Sequence, residues 1–332
     1  MTTLITGSSG FVGLALSECL LAAGEDVIGY DLKPVAENVN VHLSALAGRF
    51  THETGDACDV ERLHSVMSRH RPQQVVTLAA ITADAGREKL TPQAIFDVNV
   101  GGVLSAIDAA AQHGVSRLLH VSSGSVYGES GRLAEPLDES TTALVPEGLY
   151  GISKRAAEEA AQRLGVLHGL PIVIGRLGTC FGPWEKGTGV RDTLSAPLQL
   201  LMLACFGGHA ILPRDSRRDW LYVRDAAQAM YCLLAQSEWK SPVYNLAAGF
   251  EWSLSQWCQL LQASYPGFTW RVAKVGDVTN INLYASYDRS SMNIQRLIND
   301  IGFVPRFDLA EAYDDYQQWL EKVHPFACEV PQ

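Results

Sequence analysis

The residues that most constrain this chain stand at its start. Thr3 to Gly13 read TLITGSSGFVG, a short β-branched and apolar run followed by Gly7-x-x-Gly10-x-x-Gly13 and then a long apolar stretch. A strand, a glycine-rich turn and a helix in that order begin a parallel sheet wound with helices. The three glycines permit a tight turn, close approach of backbone to a pyrophosphate, and close helix–sheet packing. The helix N-terminus, beginning at Phe11 and Val12, offers unpaired N–H groups to phosphates. Three spaced glycines alone fit an ordinary turn as well. Their place at the first strand–helix junction is what favours a dinucleotide site.

The rest of the first half keeps the same rhythm. Apolar runs at Thr3–Thr6, Val27–Tyr30, Phe50–Glu53, Val75–Leu78, Leu118–Val121 and Ile172–Arg176 predict strands. Amphipathic stretches at about 11–23, 59–70, 92–112 and 150–168 predict helices between them. Continuous apolar strands separated by helices imply an α/β fold, a Rossmann-type doubly wound parallel sheet with right-handed crossovers. After Arg176 the pattern loosens, with Gly, Pro and Trp in FGPWEKGTG, an apolar helix-like run to Phe206 and the polar turn PRDSRRD. Helices at about 225–236, 253–264 and 308–322 and a strand at Val243–Leu246 complete the second half. A chain of 332 residues corresponds to about two domains at ~150 residues each. The division expected is a dinucleotide-binding domain over 1–175 and a smaller substrate lobe over 176–332, with some of its segments returning to the first sheet.

Asp31 ends the second strand, eighteen residues past Gly13. An acid there accepts hydrogen bonds from both adenosine ribose hydroxyls and repels a 2′-phosphate, which favours NAD over NADP. Leu32 adjoins it, and Lys33 is either a moderating charge or a solvated loop lysine. Asp56 and Ala57 follow the third strand, where a carboxylate can meet the adenine amine; Asp59 is better placed to cap the next helix.

The fifth strand runs into Ser122-Ser123-Gly124-Ser125-Val126-Tyr127-Gly128, and Tyr150-Gly151-Ile152-Ser153-Lys154 stands downstream. Spacing of four puts Tyr150 and Lys154 on one helix face. A tyrosine with a pKa near 10 is a poor base at neutral pH; a nearby ammonium and the positive nicotinamide bring it toward the working range. The same lysine can hold the nicotinamide ribose, and a serine hydroxyl opposite can polarise a substrate oxygen. An ordinary strand-end turn is the bland alternative for the serines.

These residues resemble the extended short-chain dehydrogenase/reductase family, also called the NAD-dependent epimerase/dehydratase family, and within it the sugar-nucleotide 4-epimerases. The resemblance rests on GSSGFVG, Asp31, GDACD, TLAA at 77–80, NVGG at 99–102, SSGSVYG, YGISK, RLGTCFGP at 176–183, RDWLYVRD at 218–225 and YNLAAG at 244–249. It implies NAD as cofactor, Tyr150 as catalytic acid/base, Lys154 as its partner and Ser123 as the hydroxyl partner. It also implies Leu78, Ala79, Ala80 and Thr82 beside the pyrophosphate and ribose, and Asn99 near the cofactor. Many relatives carry a lysine at the position of Thr82. A homodimer built on the helices at 92–112 and 150–168 is expected by the same resemblance.

The family's subclasses differ in the chemistry after hydride removal. The 4,6-dehydratases place Asp-Glu straight after the Ser/Thr; this chain has Gly124-Ser125 there. Fucose-synthase-type enzymes use a Cys and a His, and no such Cys occupies the serine loop. What remains is a 4-epimerase of a UDP-hexose or UDP-hexuronate, or a dehydrogenase of a free sugar, sugar acid or other hydroxy acid. A non-catalytic NAD sensor is disfavoured because both Tyr150 and Lys154 are present. Arg218 stands where relatives clamp a nucleotide pyrophosphate, its alternative being an ion pair with Asp219 or Asp225. Thr179 replaces a commoner asparagine. Ser125, Lys186 and Arg191 are further substrate candidates, the last two for a carboxylate, with Arg214 and Arg217 held in reserve.

The net charge of −10 disfavours nucleic acid as a partner, since phosphate backbones need a basic face. Seven scattered cysteines without CxxC, and nine histidines without HxxxH or HExxH, give no disulfide frame and no metal site. Apolar runs fall short of the twenty or so residues a membrane helix needs. A soluble, cytoplasmic protein with no membrane partner is expected.

Overall fold

The alternation read from the first half produces one parallel sheet. The computed structural model describes residues 1–187 and 189–323. Strands β1 (Thr2–Thr6), β2 (Asp26–Asp31), β3 (Phe50–Thr54), β4 (Gln74–Thr77), β5 (Arg117–Ser123) and β6 (Ile172–Leu177) lie in the order β3-β2-β1-β4-β5-β6, and Val243–Leu246 adds a seventh strand beside β6. Every neighbouring pair is parallel. The chain therefore reverses its direction of growth between β1 and β4, and a crevice opens there beyond the strands' carboxyl ends.

Helices α1 (Phe11–Ala22), α2 (Glu37–Ser44), α3 (Val60–His70), α4 (Ala85–Leu90), α5 (Pro92–Phe96), α6 (Gly102–Gln112) and α7 (Leu149–His168) fill the crossovers. One face of the sheet packs on α3, α6 and α7 through Leu63, Val66, Ile107, Ala110, Ala157 and Ala161. The other packs on α1 and on the helix Val223–Ala235. Asp59 caps α3, its carboxylate accepting from the Arg62 N–H at 2.9 Å.

The single helix expected over 92–112 is three pieces, α5, a π-helical turn at Asp97–Gly101 and α6. The stretch Pro92–Gln112 is long and apolar enough to cross a membrane, and half of it is buried. Its packing against α3 and α7 accounts for that apolarity. Three short helices, α2, α4 and Gln295–Ile301, go unread in the sequence because each buries too few residues to write a period; α4 buries none.

The substrate half is held by aromatic packing and three two-stranded pairs. Thr179–Phe181 pairs with Trp220–Tyr222, Arg217–Arg218 with Trp252–Ser253, and His209–Leu212 with Thr269–Val272. Phe181 sits at the centre of the cluster, 5.4 Å from the Tyr222 ring, 5.4 Å from Trp252 and 5.5 Å from Trp257. This rigid patch fixes the strand that carries Arg218 against the end of the main sheet.

Candidate active site

The glycine loop forms a cradle in which side chains have no room. Gly7 has φ +75°, and a Cβ there would lie 2.6 Å from the Ala79 nitrogen; one at Gly13 would lie 2.3 Å from the Gly7 oxygen. Gly10 precedes α1 as its N-cap and provides no side-chain cap, and the first turn holds no acid. The N–H groups of that turn are thus open to an anionic group. Ser8 Oγ is buried with no hydrogen-bond partner. Asp31 ends β2 beside this loop: one carboxylate oxygen accepts the Ser9 N–H at 3.0 Å and the other the Lys33 N–H at 3.3 Å. Each oxygen keeps a lone pair for a ribose hydroxyl. Leu32 is exposed, Ala57 is buried, and the exposed Asp56 caps its own turn by accepting the Cys58 N–H at 2.9 Å. These residues fit a dinucleotide of the NAD type, with Leu78, Ala79 and Ala80 partly exposed at the end of β4.

Asn99, expected near the cofactor, lies behind the loop that follows β4. It is fully buried, its Oδ1 accepts the Ile81 N–H at 2.7 Å, and its Nδ2 donates to Ile81 O and Ser153 Oγ at 3.1 and 3.0 Å. With its amide used on the protein, it braces the loop after β4 from behind.

A cavity of about 330 Å³ opens beside the cradle, and Val12, Thr82, Ser123, Ser125, Tyr150 and Thr179 are among its lining residues. The strand-end serines form a turn: Ser123 Oγ accepts the Ser125 N–H at 3.1 Å and lies 3.2 Å from Ser125 Oγ. Ser122, by contrast, points into the core, with its hydroxyl buried and unpartnered. Tyr150 projects from the first turn of α7. That helix has glycine at its N-cap, and the carboxylate of Glu88 in α4 accepts the Leu149 N–H at 2.6 Å in its place. Burial pushes the Tyr150 hydroxyl above its ordinary pKa, while bonding to Ser123 and Thr82 and the Arg191 charge pull the other way.

One turn further along, Lys154 is buried and its Nζ donates to the Val121 carbonyl at 2.5 Å. Burial lowers its pKa to about 8, and the negative charge of Glu158 partly offsets that fall. Glu158 in turn holds Arg176 through contacts of 2.8 to 3.2 Å, and Arg176 reaches the Tyr127 hydroxyl at 3.1 Å. Tyr127 donates to Asn245 Oδ1 at 2.9 Å. A buried polar chain therefore runs behind the site from Lys154's helix to the seventh strand.

Of the five basic residues singled out in the substrate half, two line the cavity, Arg191 and Arg218. Arg191 pairs with Glu185 at 3.2 Å, donates to Thr193 O at 2.9 Å and lies over the Phe11 ring at 5.6 Å. Its loop is pinned to α4 by Arg87, which grips Asp192 at 2.6 Å. Arg218 is buried, donates to Tyr287 O at 3.0 Å and reaches Asp288 at 3.4 Å. Its partner is thus Asp288, where Asp219 or Asp225 had been the expected alternatives; Asp219 accepts the Met292 N–H, and Asp225 accepts those of Arg306 and Phe307. Lys186 is absent from the cavity lining, as are Arg214, which pairs with Asp288, and Arg217, which pairs with Glu251.

The site also contains groups that no motif announces. Arg289, Tyr284, Tyr287 and Glu147 line the cavity, all but Glu147 from the irregular segment between Val272 and Gln295. Tyr287 donates to Glu147 at 2.8 Å, and Tyr284 reaches across to Ala83 O at 3.1 Å. That segment has neither period nor recognisable spacing. Among the described residues no group of three His, Cys, Asp or Glu side chains is arranged to hold a metal ion.

Comparison with known proteins agrees with this architecture. A dTDP-glucose 4,6-dehydratase of Streptomyces griseus is 30% identical over 346 residues, covering 98% of each chain. Another from Shigella flexneri is 27% identical over 272 residues, covering 74% of this chain and 72% of its own. A UDP-glucose 4-epimerase of Thermotoga maritima, solved with UDP-glucose, superposes with a TM-score of 0.79 at 22% identity, over 97% of this chain and 99% of that one. A UDP-glucuronic acid 4-epimerase of Bacillus cereus, solved with UDP-glucuronic acid and NAD, gives 0.78 at 20% identity, over 98% of this chain and all (100%) of that one. The sequence profile of the NAD dependent epimerase/dehydratase family matches residues 3–247, nearly the whole sheet and its site, and the chain belongs to that family.

Proposed function

We propose that this protein is an NAD-dependent sugar-nucleotide 4-epimerase. The observation that carries the reading is the meeting of Ser123 and Tyr150 in one cavity with Arg191 and Arg218, while positions 124 and 125 supply no carboxylate. Gly7, Gly10, Gly13 and the first turn of α1 would hold the pyrophosphate, and Asp31 the adenosine ribose. Bound NAD supplies the hydride acceptor and donor that the side chains lack.

Tyr150 takes the proton from the carbinol hydroxyl and later returns it. Its raised pKa in the dry site means that it begins protonated, so it needs a neighbouring positive charge to act as a base. Arg191 supplies one such charge, and Lys154, one helical turn along, would supply another. Ser123 holds the substrate oxygen within reach of the phenol, and Arg218 offers its guanidinium fork to the nucleotide diphosphate. The relatives that are 4,6-dehydratases by name need an acid and a base to eliminate water. Gly124 and Ser125 provide neither, which supports epimerisation over dehydration.

A net dehydrogenase of a sugar acid or hydroxy acid is the second reading, favoured by the arginines in a cavity of modest size. One assay separates the three. The protein is incubated with NAD and UDP-hexoses, UDP-hexuronates, dTDP-glucose or free aldonates, and NADH absorbance and products are followed together. The 4-epimer without NADH accumulation supports the proposal. NADH accumulating in step with substrate, or a 4-keto-6-deoxy product, replaces it with one of the others.

A further inference from the structure

The least satisfied charge in the cavity is Arg289. Its side chain runs through a slot made by two glycines: a Cβ at Gly131 would lie 2.6 Å from Arg289 Cγ, and one at Gly124 would lie 2.5 Å from its Nη1. The guanidinium therefore fills the space that a side chain following Ser123 would take. Its Nε is buried without a partner, and Nη2 reaches only the Met292 sulfur at 3.6 Å. Among the described residues no carboxylate pairs with it. Asp288 is held by Arg214 and Arg218. Asp219, the buried acid that feels its charge, bonds the Met292 N–H at 2.9 Å. Arg191 and Arg218, in contrast, already have protein partners.

We propose that Arg289 binds a carboxylate on the sugar next to the reacting carbon, so that the substrate is a nucleotide-linked hexuronate. The inference rests on the 4-epimerase reading and narrows it. A guanidinium whose Nε is buried without a partner is costly unless an anion completes it, and its planar fork suits a carboxylate. Position selects which anion. The reacting hydroxyl must lie at Ser123 and Tyr150, and Arg289 abuts the residue after Ser123. In a hexuronate the carboxylate carbon C6 is two bonds from C4, whereas the diphosphate leaves from C1 across the ring. Arg218 is thus left for the diphosphate, and Arg289 for the carboxylate. Burial and the Arg289 charge both lower the Arg218 pKa, so the two cations repel each other until anions separate them.

The test is calorimetric binding of UDP-glucuronate, UDP-glucose and UDP to NAD-saturated protein, with Arg289→Met and Arg289→Lys beside the parent. Thermal unfolding of each variant shows that it is folded. UDP-glucuronate should bind the parent more tightly than UDP-glucose. R289M should weaken UDP-glucuronate by about 30- to 100-fold, the size of a lost charged hydrogen bond, and leave UDP affinity within a factor of about three. R289K should recover part of the loss, since a point charge replaces a fork. An equal fall in UDP and UDP-glucuronate affinity would assign Arg289 to the diphosphate and overturn the proposal. So would a parent that prefers UDP-glucose. Arg289-dependent binding of UDP-glucuronate without any 4-epimer product would uphold this inference while removing the epimerase reading.

Discussion

Glu158→Gln tests the buried polar chain behind the catalytic helix. Glu158 and Arg176 are 3% and 4% exposed, and three nitrogen–oxygen contacts of 2.8 to 3.2 Å join them. Glutamine keeps the shape and one acceptor oxygen but removes the charge, leaving a guanidinium in a dry interior. Breaking such a pair costs about 3–5 kcal/mol; the retained acceptor places this variant near the lower end. Urea unfolding at neutral pH reads that loss directly. Replacing both partners, with Leu at 158 and Met at 176, removes the stranded charge and should return stability to within about 2 kcal/mol of the parent. Tyr127 keeps its bond to Asn245 in that double variant. The single change also acts on Lys154, one helical turn away, whose pKa the Glu158 charge supports against burial. In Glu158→Gln the lysine pKa falls further, so the alkaline limb of the pH–rate profile should move to lower pH. A loss below about 1 kcal/mol, well short of the cost of an unpaired buried ion, with an unmoved alkaline limb would refute this account of the pair.

Three further perturbations probe the site itself. Tyr150→Phe should reduce epimer formation by about a hundredfold or more, the usual yield of general acid–base catalysis, with NAD affinity retained by fluorescence titration; near-normal turnover would remove Tyr150 from the reaction. Asp31→Ser should shift the ratio of NAD to NADP affinity by about tenfold or more toward NADP, since it removes charge-assisted ribose bonds and a repelling carboxylate. Lys154 contributes a pH dependence of stability with a definite sign. Its folded pKa is lowered from 10.5 to about 8, so between those values the unfolded chain binds the extra proton, and stability rises with pH by about 3 kcal/mol at most. Urea midpoints measured against pH for the parent and Lys154→Met should diverge across that window, and parallel curves would contradict the burial of the charge.

The parallel sheet was legible because its strands, the edge strand β3 excepted, are largely buried and α1, α3, α6 and α7 are long enough to show their period. Strands β1 to β6 lie within two residues of their expected limits for that reason. The cofactor cradle was legible because glycine is obligatory where a Cβ has no room, as at Gly7 and Gly13. The pair at Tyr150 and Lys154 was legible through helical spacing. The substrate wall was not. Arg218 could be assigned to the cavity by resemblance, yet its partner Asp288 lies 70 residues away in a segment without period. Lys186 and Arg191 looked equivalent in sequence; in the fold Arg191 lines the cavity, on a loop held by its bridge to Thr82 and by the Arg87–Asp192 ion pair. Asn99 was expected near the cofactor, and its bonds to the Ile81 backbone, made from a π-helical turn, could not be read from the sequence.

The net charge of −10 describes the surface far more than the cavity. Glu185 and Asp288, the acids nearest the cavity arginines, are already engaged: Glu185 accepts Ser195 N–H and O–H at 2.7 and 2.6 Å, and Asp288 is shared between Arg214, Ser216 and Arg218. Burial pushes the Asp288 carboxyl up, and the Arg214 and Ser216 bonds more than offset it, so it stays ionised at neutral pH and orients cations without neutralising all of them. Arg191 leans on Glu185 and Arg218 on Asp288, whereas Arg289 feels the Asp219 charge without an ion-pair contact among the described residues. The three arginines share one cavity with Glu147, and Arg289 occupies the slot beside Ser123. A hydroxymethyl group facing Arg289 can accept a hydrogen bond but leaves its charge unneutralised. If Arg289 binds a carboxylate as proposed, a ligand with one anion at each end of a pyranose ring would engage Arg218 at one end and Arg289 at the other.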